Sequence, residues 1–394
     1  MDGVRVIRVW TYITANEGFA RRILDYFSFG VSALLAGLFV PRVDVVVSTS
    51  PQFFTAVGAC VLSSVRRKPF VFELRDLWPD SIAVVGAMRK GVVFRLLKKL
   101  EYFMYRRAAL IVSVTQSFRR ILAANGIPAD KIVVVTNGVD GGFFFPGPAA
   151  DVIRKKHDLD GKFVGAYVGT LGLAHGLQSL LSAAERLRHR RDLVFILVGT
   201  GAERQNLEKL ARERDLGNVI FAGAVSKEEV KEYWRLCDVA LVLLRDDPLF
   251  EHVIPSKMFE AMGTAKPIIL GVRGESAEIL ADAGAGLLVC PGSVDALVEA
   301  IEKIARSPDV AKRMGRHGRR YVVERFNRDR LASDLLSELV KVSGKSSAWE
   351  RRAGSRFRMA DGEWQMPMGY SKEQKRNGQG VKREKAFQRS RPNT

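Results

Sequence analysis

The chain has 394 residues, enough for two domains that each bury a core of their own. Hydrophobic residues make up 47% and charged residues 27%, the balance of an ordinary globular protein. The three cysteines, Cys60, Cys237 and Cys290, form no CxxC pair, which argues against a disulfide framework or a structural zinc site. The formal charge is +19, yet 13 Lys+Arg against 5 Asp+Glu after residue 343 place +8 of it in the tail, and the diffuse remainder is no footprint for a specific nucleic acid.

In chain order, β-branched runs alternate with helix-period stretches, the pattern of parallel sheets covered by helices. Val4–Tyr12 reads as a strand almost at the start, so no secretory signal is expected, and the scattered cysteines suit a reducing cytoplasm. Tyr26–Val40 is an uncharged, mostly apolar run after Arg21 and Arg22, too short for the ~20 residues of a spanning helix. Two readings stand for it: a helix packed in the core or at a domain edge, or a patch resting in an anionic membrane leaflet. Strands follow at Val43–Ser48, Phe70–Leu74, Leu110–Val114 and Ile132–Thr136, with a helix over Val92–Arg107. A polar segment after the Pro- and Gly-bearing Phe145–Pro148 marks a linker. Beyond it come strands at Phe163–Val168, Leu193–Val198, Val219–Phe221, Val239–Leu244, Pro267–Leu270 and Gly286–Val289. The pattern predicts two Rossmann-like, doubly wound α/β domains over 1–148 and 161–343, joined by a linker at 149–160. The Lys-, Arg-, Gly- and Ser-rich residues 344–394 read as a disordered basic tail, either anion-binding or merely solvated.

The residues able to carry chemistry cluster in the second half. Pro255 suits the first turn of a helix, which would leave the amides of Ser256 and Lys257 among its unpaired donors, a ready site for phosphate. Glu260 lies four residues beyond Ser256, on the same face, where its carboxylate can take both hydroxyls of a ribose. Gly169, Thr170 and Gly172 follow one strand, and Gly199 and Gly201 follow the next. Ligands of open α/β sheets bind at such carboxyl ends, although glycine also serves plain turns.

These segments carry a resemblance. YVGTLG, LVGTGAER, IPSKMFEAMGTAKPIIL, GESAEI and GAGLLVCPG, with PFVFELRDLWPDS and KIVVVTNGVD in the first half, resemble glycosyltransferase family 4, and within it the WbuB-like enzymes of surface-polysaccharide synthesis. The resemblance covers about residues 3–340. It implies a GT-B fold, a nucleoside-diphosphate sugar donor, a lipid-linked or glycan acceptor, retaining transfer, and no metal or other cofactor. By position Glu260 matches the second glutamate of the family's pair, the ribose ligand, and Glu251 the first, near the donor sugar. Eight residues separate the two here instead of seven, so strict counting selects His252 for the first position. Ser256 and Lys257 match the phosphate contacts. His175 occupies a position where relatives carry lysine, which leaves Lys257 or Arg245 to neutralise the diphosphate. Arg75 and Asp76 are candidates for donor or acceptor contacts in the first half, or a local ion pair; Trp78 reads as a packing residue. The implied mechanism has no protein nucleophile: helix amides and Lys257 stabilise the departing diphosphate.

Relatives begin with a strand and a glycine-rich loop upstream of the segment that opens this chain, so the first domain is expected to lack a central strand. Two other readings stay open: a sugar-nucleotide 2-epimerase of the same architecture, and an inactive remnant that only binds polyanions.

Overall fold

The computed structural model describes residues 4–13, 19–84, 86, 88–148 and 151–345, with 358–360 and 363–365. The first half comprises α1 (Phe19–Leu38), β1 (Val46–Thr49), α2 (Phe53–Arg66), β2 (Phe70–Leu74), α3 (Asp80–Val84), α4 (Val92–Arg107), β3 (Leu110–Ser113), α5 (Gln116–Ala124) and β4 (Ile132–Val134). The second comprises α6 (Asp151–Lys156), β5 (Phe163–Val168), α7 (Gln178–Arg186), β6 (Leu193–Val198), α8 (Arg204–Glu213), β7 (Val219–Gly223), α9 (Lys227–Leu236), β8 (Val239–Leu243), α10 (Ser256–Gly263), β9 (Ile268–Gly271), α11 (Glu275–Ala283), β10 (Gly286–Leu288), α12 (Val294–Arg306) and α13 (Pro308–Arg325). A last long helix, α14, spans Arg328–Ser343.

Both sheets are parallel. The first runs β1-β2-β3-β4 in one direction. The second runs β10-β9-β8-β5-β6-β7, so its winding reverses between β5 and β8. Its strands are continuous apolar runs because both faces are covered. Val164, Ala166, Val168, Ile196 and Val242 enter one core, while Tyr167, Phe195, Leu197, Leu241 and Ile269 enter the other. Ile153 of α6 and the fully buried Leu159 join the first of these cores.

One departure from the sequence reading concerns the start of the first half. Val4–Ile13 forms no strand. Among the described residues no strand lies beside it, and its polar groups turn to α1 instead. Thr11 Oγ1 donates to Asp25 Oδ1 at 2.7 Å, and the Tyr12 amide donates to Ser28 Oγ at 2.9 Å. A β-branched run without a ladder partner has no reason to stay extended in register. Most of the Tyr26–Val40 run lies in α1, which is a packed helix, as one of the two readings had it, held on α2 by close glycine contacts: a Cβ on Gly30 would come within 3.0 Å of the Phe54 backbone, and one on Gly58 within 3.1 Å of the Gly30 carbonyl. Its other face shows Leu24, Val31 and Leu35 to solvent, each at least two-fifths exposed.

The halves are joined by two chain crossings lying side by side. The Val139 amide donates to the Phe326 carbonyl at 2.8 Å, and the Arg328 amide to the Val139 carbonyl at 3.0 Å. Arg319 fastens this crossing by donating to the carbonyls of Gly141, Phe144 and Gly263. Beyond it, Leu335, Leu339 and Val342 of α14 cover Val71, Leu110 and Val112 of the first sheet. The expected disordered tail falls mostly outside the described residues. The six described there form an antiparallel pair, Arg358–Ala360 with Glu363–Gln365.

Helix α13 packs so closely that a Cβ on Gly315 would lie 2.0 Å from the Ala265 carbonyl oxygen, a clash with rigid backbone. Gly315→Ala is therefore expected to destabilise the fold by about 1–3 kcal/mol. Gly217→Ala, where a Cβ meets nothing within 4 Å, is expected to be neutral or slightly stabilising. Thermal unfolding of the two variants checks the contrast.

Candidate functional site

In a doubly wound sheet the crevice opens at the carboxyl ends of the two strands where the winding reverses, here β5 and β8. The loop after β5 carries Gly169, Thr170 and Gly172, and the residue two beyond β8 is Arg245. The structure brings the two loops together: the Arg245 amide donates to the Ala174 carbonyl at 2.9 Å, and Gly176 packs on the Arg245 stem. Arg245 is exposed.

The loop after β6 lies directly against the first. A Cβ on Gly199 would fall 2.0 Å from the Gly169 carbonyl oxygen, and one on Gly201 would fall 2.4 Å from that of Leu171. Gly199 (φ 130°) and Gly201 are thus required by neighbouring backbone, the plain-turn role of glycine. The Leu171 amide donates to the Thr200 carbonyl at 3.0 Å, completing the pairing. Gly169 (φ 142°) differs: what would meet its Cβ is the Lys257 ammonium, at 3.1 Å.

Lys257 enters from α10. Pro255 is the cap residue of that helix and not its first turn, so Ser256 opens it, exposed. No side chain caps this end, in contrast to α5 (Thr115), α9 (Ser226 with Glu229) and α12 (Ser293). An uncapped helix start beside a glycine loop gathers free amides and the positive end of a dipole in one place. The Lys257 ammonium donates to the Tyr167 hydroxyl at 2.6 Å and lies 3.8 Å from the centre of that ring, while the hydroxyl donates to the Thr170 carbonyl at 2.7 Å. Burial pushes the lysine down to about 7, opposed by the Glu260 charge. The same burial, with Lys257 nearby, holds His175 down to about 3. His175 is therefore neutral and cannot replace a cationic residue; its Nδ1 is buried without a partner.

Glu260, one turn along α10, accepts from the Trp234 indole at 3.0 Å through Oε2. Burial raises its carboxyl, opposed by that hydrogen bond and by Lys257, Arg328 and Lys227. Glu251 and His252 both sit in a short 3-10 turn, Pro248–His252, opened by Asp247 accepting from the Leu249 amide at 2.9 Å. Because that turn is not continuous with α10, counting residues back along a helix does not choose between them. A Cβ on Gly274 would lie 2.0 Å from the Glu251 carbonyl oxygen.

In the first half, Ser50 Oγ accepts the amides of Arg75 and Asp76 at 2.9 and 3.0 Å, and Asp76 Oδ2 accepts from Ser81 at 2.7 Å. Burial raises the Asp76 carboxyl. Asp76 thus braces the turn into α3, and Arg75 is exposed. Trp78 packs on Phe53, ring centres 4.3 Å apart. Sequence reasoning missed Tyr167, Trp234 and Glu275. The carboxylate of Glu275 accepts the amides of Gln116 and Ser117 from the other half, at 3.1 and 2.9 Å. Each of these contacts joins residues far apart in the chain, so no local spacing signals them.

Comparison with known proteins agrees with this architecture. The family described as "Glycosyl transferases group 1" matches residues 150–321, and "Glycosyl transferase 4-like domain" matches residues 1–138. The chain is 26% identical over 309 residues to the putative colanic acid biosynthesis glycosyl transferase WcaI of Escherichia coli, covering 75% of each chain. It is 29% identical over 235 residues to a GDP-mannose-dependent phosphatidylinositol monomannoside mannosyltransferase of Mycobacterium tuberculosis, covering 58% of this chain and 61% of that one. It is similar in fold to Anabaena HepE solved with UDP and glucose (TM-score 0.67, 17% identity, 82% of this chain and 83% of that one). Together the two matched families take in both halves: the chain belongs to glycosyltransferase family 4 and is a glycosyltransferase of the GT-B fold.

Proposed function

We propose that this glycosyltransferase moves a sugar, with retention at the anomeric carbon, from a nucleoside-diphosphate sugar to a lipid-linked acceptor in surface-polysaccharide synthesis. The observation that carries the reading is the meeting of Gly169, the Lys257 ammonium and the uncapped start of α10 at the winding reversal of the second sheet. A diphosphate placed there takes the amides of Ser256 and Lys257 and gives the buried ammonium a counter-charge. Glu260 holds the ribose, while Glu251, on the neighbouring turn, faces the sugar. Arg245 is the second cation within reach of the phosphates. The enzyme contributes charge stabilisation where the leaving diphosphate develops its negative charge, and no protein group is required as nucleophile. Arg75 and Asp76 belong in this reading to the acceptor side. The mycobacterial relative is named for transfer to a phosphatidylinositol monomannoside and WcaI for colanic acid biosynthesis; the first of these favours a membrane-borne acceptor here.

The exposed faces of the first half support the same acceptor. Among the described residues no helix is long and apolar enough to cross a membrane. Nevertheless α4 shows Val92, Leu96 and Phe103 to solvent, each more than half exposed, on the face that also presents Lys99 and Arg106. Its neighbour α2 shows Val61 and Val65, and α1 adds its own apolar stripe. Apolar side chains ringed by cations suit the boundary of an anionic bilayer.

Incubation with UDP-, GDP- and ADP-sugars, with the configuration of the product followed by NMR, tests the reading. Nucleotide release with no donor, together with unchanged nucleotide affinity in Glu260→Gln, would sink it. The expected result is transfer from one donor and an affinity loss of about tenfold or more on Glu260→Gln, the scale of one charged hydrogen bond. A second outcome concerns pH. Lys257 titrates near 7 in the free protein, and a neighbouring diphosphate favours its charged form, raising that value. Nucleotide binding at pH 8 should then take up close to one proton, and at pH 6 almost none, so affinity falls as pH rises from about 7 to about 9. Calorimetry in buffers of different ionisation heat measures this directly; pH-independent binding would remove Lys257 from the phosphate site. On vesicles of phosphatidylcholine containing phosphatidylglycerol, Leu96→Glu with Phe103→Glu is expected to weaken binding by about tenfold, in sedimentation assays.

A further inference from the structure

The GESAEI segment holds the halves together at a point away from their two chain crossings. Helix α5 begins at the carboxyl end of β3, and α11 begins near the carboxyl end of β9, so the two amino-terminal helix ends meet where the sheets face each other. Glu275, 8% exposed, is the first residue of α11 and accepts both leading amides of α5. One negative charge thus lies between the positive ends of two helix dipoles. The remaining leading amide of α5, that of Phe118, is taken by Thr115 Oγ1 at 3.0 Å.

The residues on either side of Glu275 are tied to the turn bearing Glu251. Gly274 (φ 73°) lies under the Glu251 carbonyl, so close that only glycine fits. Ser276, fully buried, donates from Oγ to the Val253 carbonyl at 2.7 Å. Leu249 and Val253 from the same stretch pack against the core of the first half. Three consecutive residues therefore connect the Glu251 turn, the first helical turn of α11 and the amino terminus of α5.

From this we infer that Glu275 is a positioning residue that latches the two halves in the closed register and, through Gly274 and Ser276, sets the Glu251 turn for transfer. The inference rests on the transferase reading above, but its main test does not. In the closed form the carboxylate keeps two charge-assisted hydrogen bonds. Opening about the Val139–Asn327 crossing breaks both and returns the carboxylate to water. The latch acts on the geometry between the halves and leaves the nucleotide contacts, which lie within the second half, untouched.

The test uses the full chain in a Cys290→Ser background with nitroxide labels at Asp130→Cys and Arg313→Cys, exposed positions on the first and second halves. Pulsed dipolar spectroscopy reads the distance distribution between the labels. Glu275→Ala is expected to broaden it toward longer distances, and Glu275→Gln, which keeps one accepting oxygen, to restore it in part. Gln116→Pro removes one of the two donors from the opposite side at a helix position that tolerates proline, so it should shift the distribution in the same direction even if Glu275→Ala fails to fold. With the sugar donor that the wild type turns over, Glu275→Ala should lower kcat at least tenfold while the affinity for UDP or GDP changes less than twofold. Unchanged distances in both Glu275→Ala and Gln116→Pro overturn the latch. So does a loss of nucleotide affinity equal to the loss of kcat, which would make Glu275 a donor contact. If no donor is turned over by the wild type, the transferase reading fails and the distance measurements still decide the latch.

Discussion

A buried ammonium is expensive unless something answers its charge, and Lys257 is answered by a phenol oxygen at 2.6 Å, the face of the same ring, and a carboxylate one turn along its own helix. Much of the second half follows from keeping that lysine where it is. Tyr167, the last residue but one of β5, must point into the core, with its hydroxyl donating to the Thr170 carbonyl, which fixes the path of the loop after β5. That loop in turn dictates glycine at 199 and 201 in the next one, because its carbonyls occupy the space a side chain would need. Pro255 sets where α10 begins and leaves its first amides open. The bland and the functional roles of these glycines are therefore one arrangement: two of them exist to let backbone pack on backbone, and the third lets an ammonium approach.

The same economy holds between the halves. Their connection at Val139 and Asn327 is a narrow, parallel pair of backbone crossings buttressed by Arg319. A connection of that kind permits rotation, and the Glu275 carboxylate limits it with hydrogen bonds that are strong when dry and weak when wet. The candidate site thus has one part wholly inside the second half and another whose geometry depends on how the halves meet.

Most strands were legible because a parallel sheet buried on both faces writes itself as uninterrupted β-branched runs; Phe70–Leu74, Phe163–Val168 and Leu193–Val198 match the predicted limits. Val4–Tyr12 has the same composition and forms no strand, since composition reports what a segment would bury and not whether a partner stands beside it. Within the candidate site, Gly169, Ser256, Lys257 and Glu260 could be named from motif spacing, as they lie in two short segments. What spacing could not disclose was the company they keep. Tyr167 under Lys257, Trp234 on Glu260 and Glu275 on α5 are pairs separated by 90, 26 and 158 or more residues, and only the folded chain brings them together.

Helix α14 has a consequence for how such a protein can be divided. It follows the second half in sequence, yet its Leu335, Leu339 and Val342 roof the first sheet over Val71, Leu110 and Val112. A single cut at the linker would strip one piece of its cover and leave the other trailing an apolar helix with nothing beneath it. Recombination between relatives, natural or engineered, is better tolerated as an insertion: the segment between the two crossings exchanged whole, with both ends of the recipient chain retained. By that logic the second half is a cassette, and the first half, interrupted in sequence but continuous in space, is its frame.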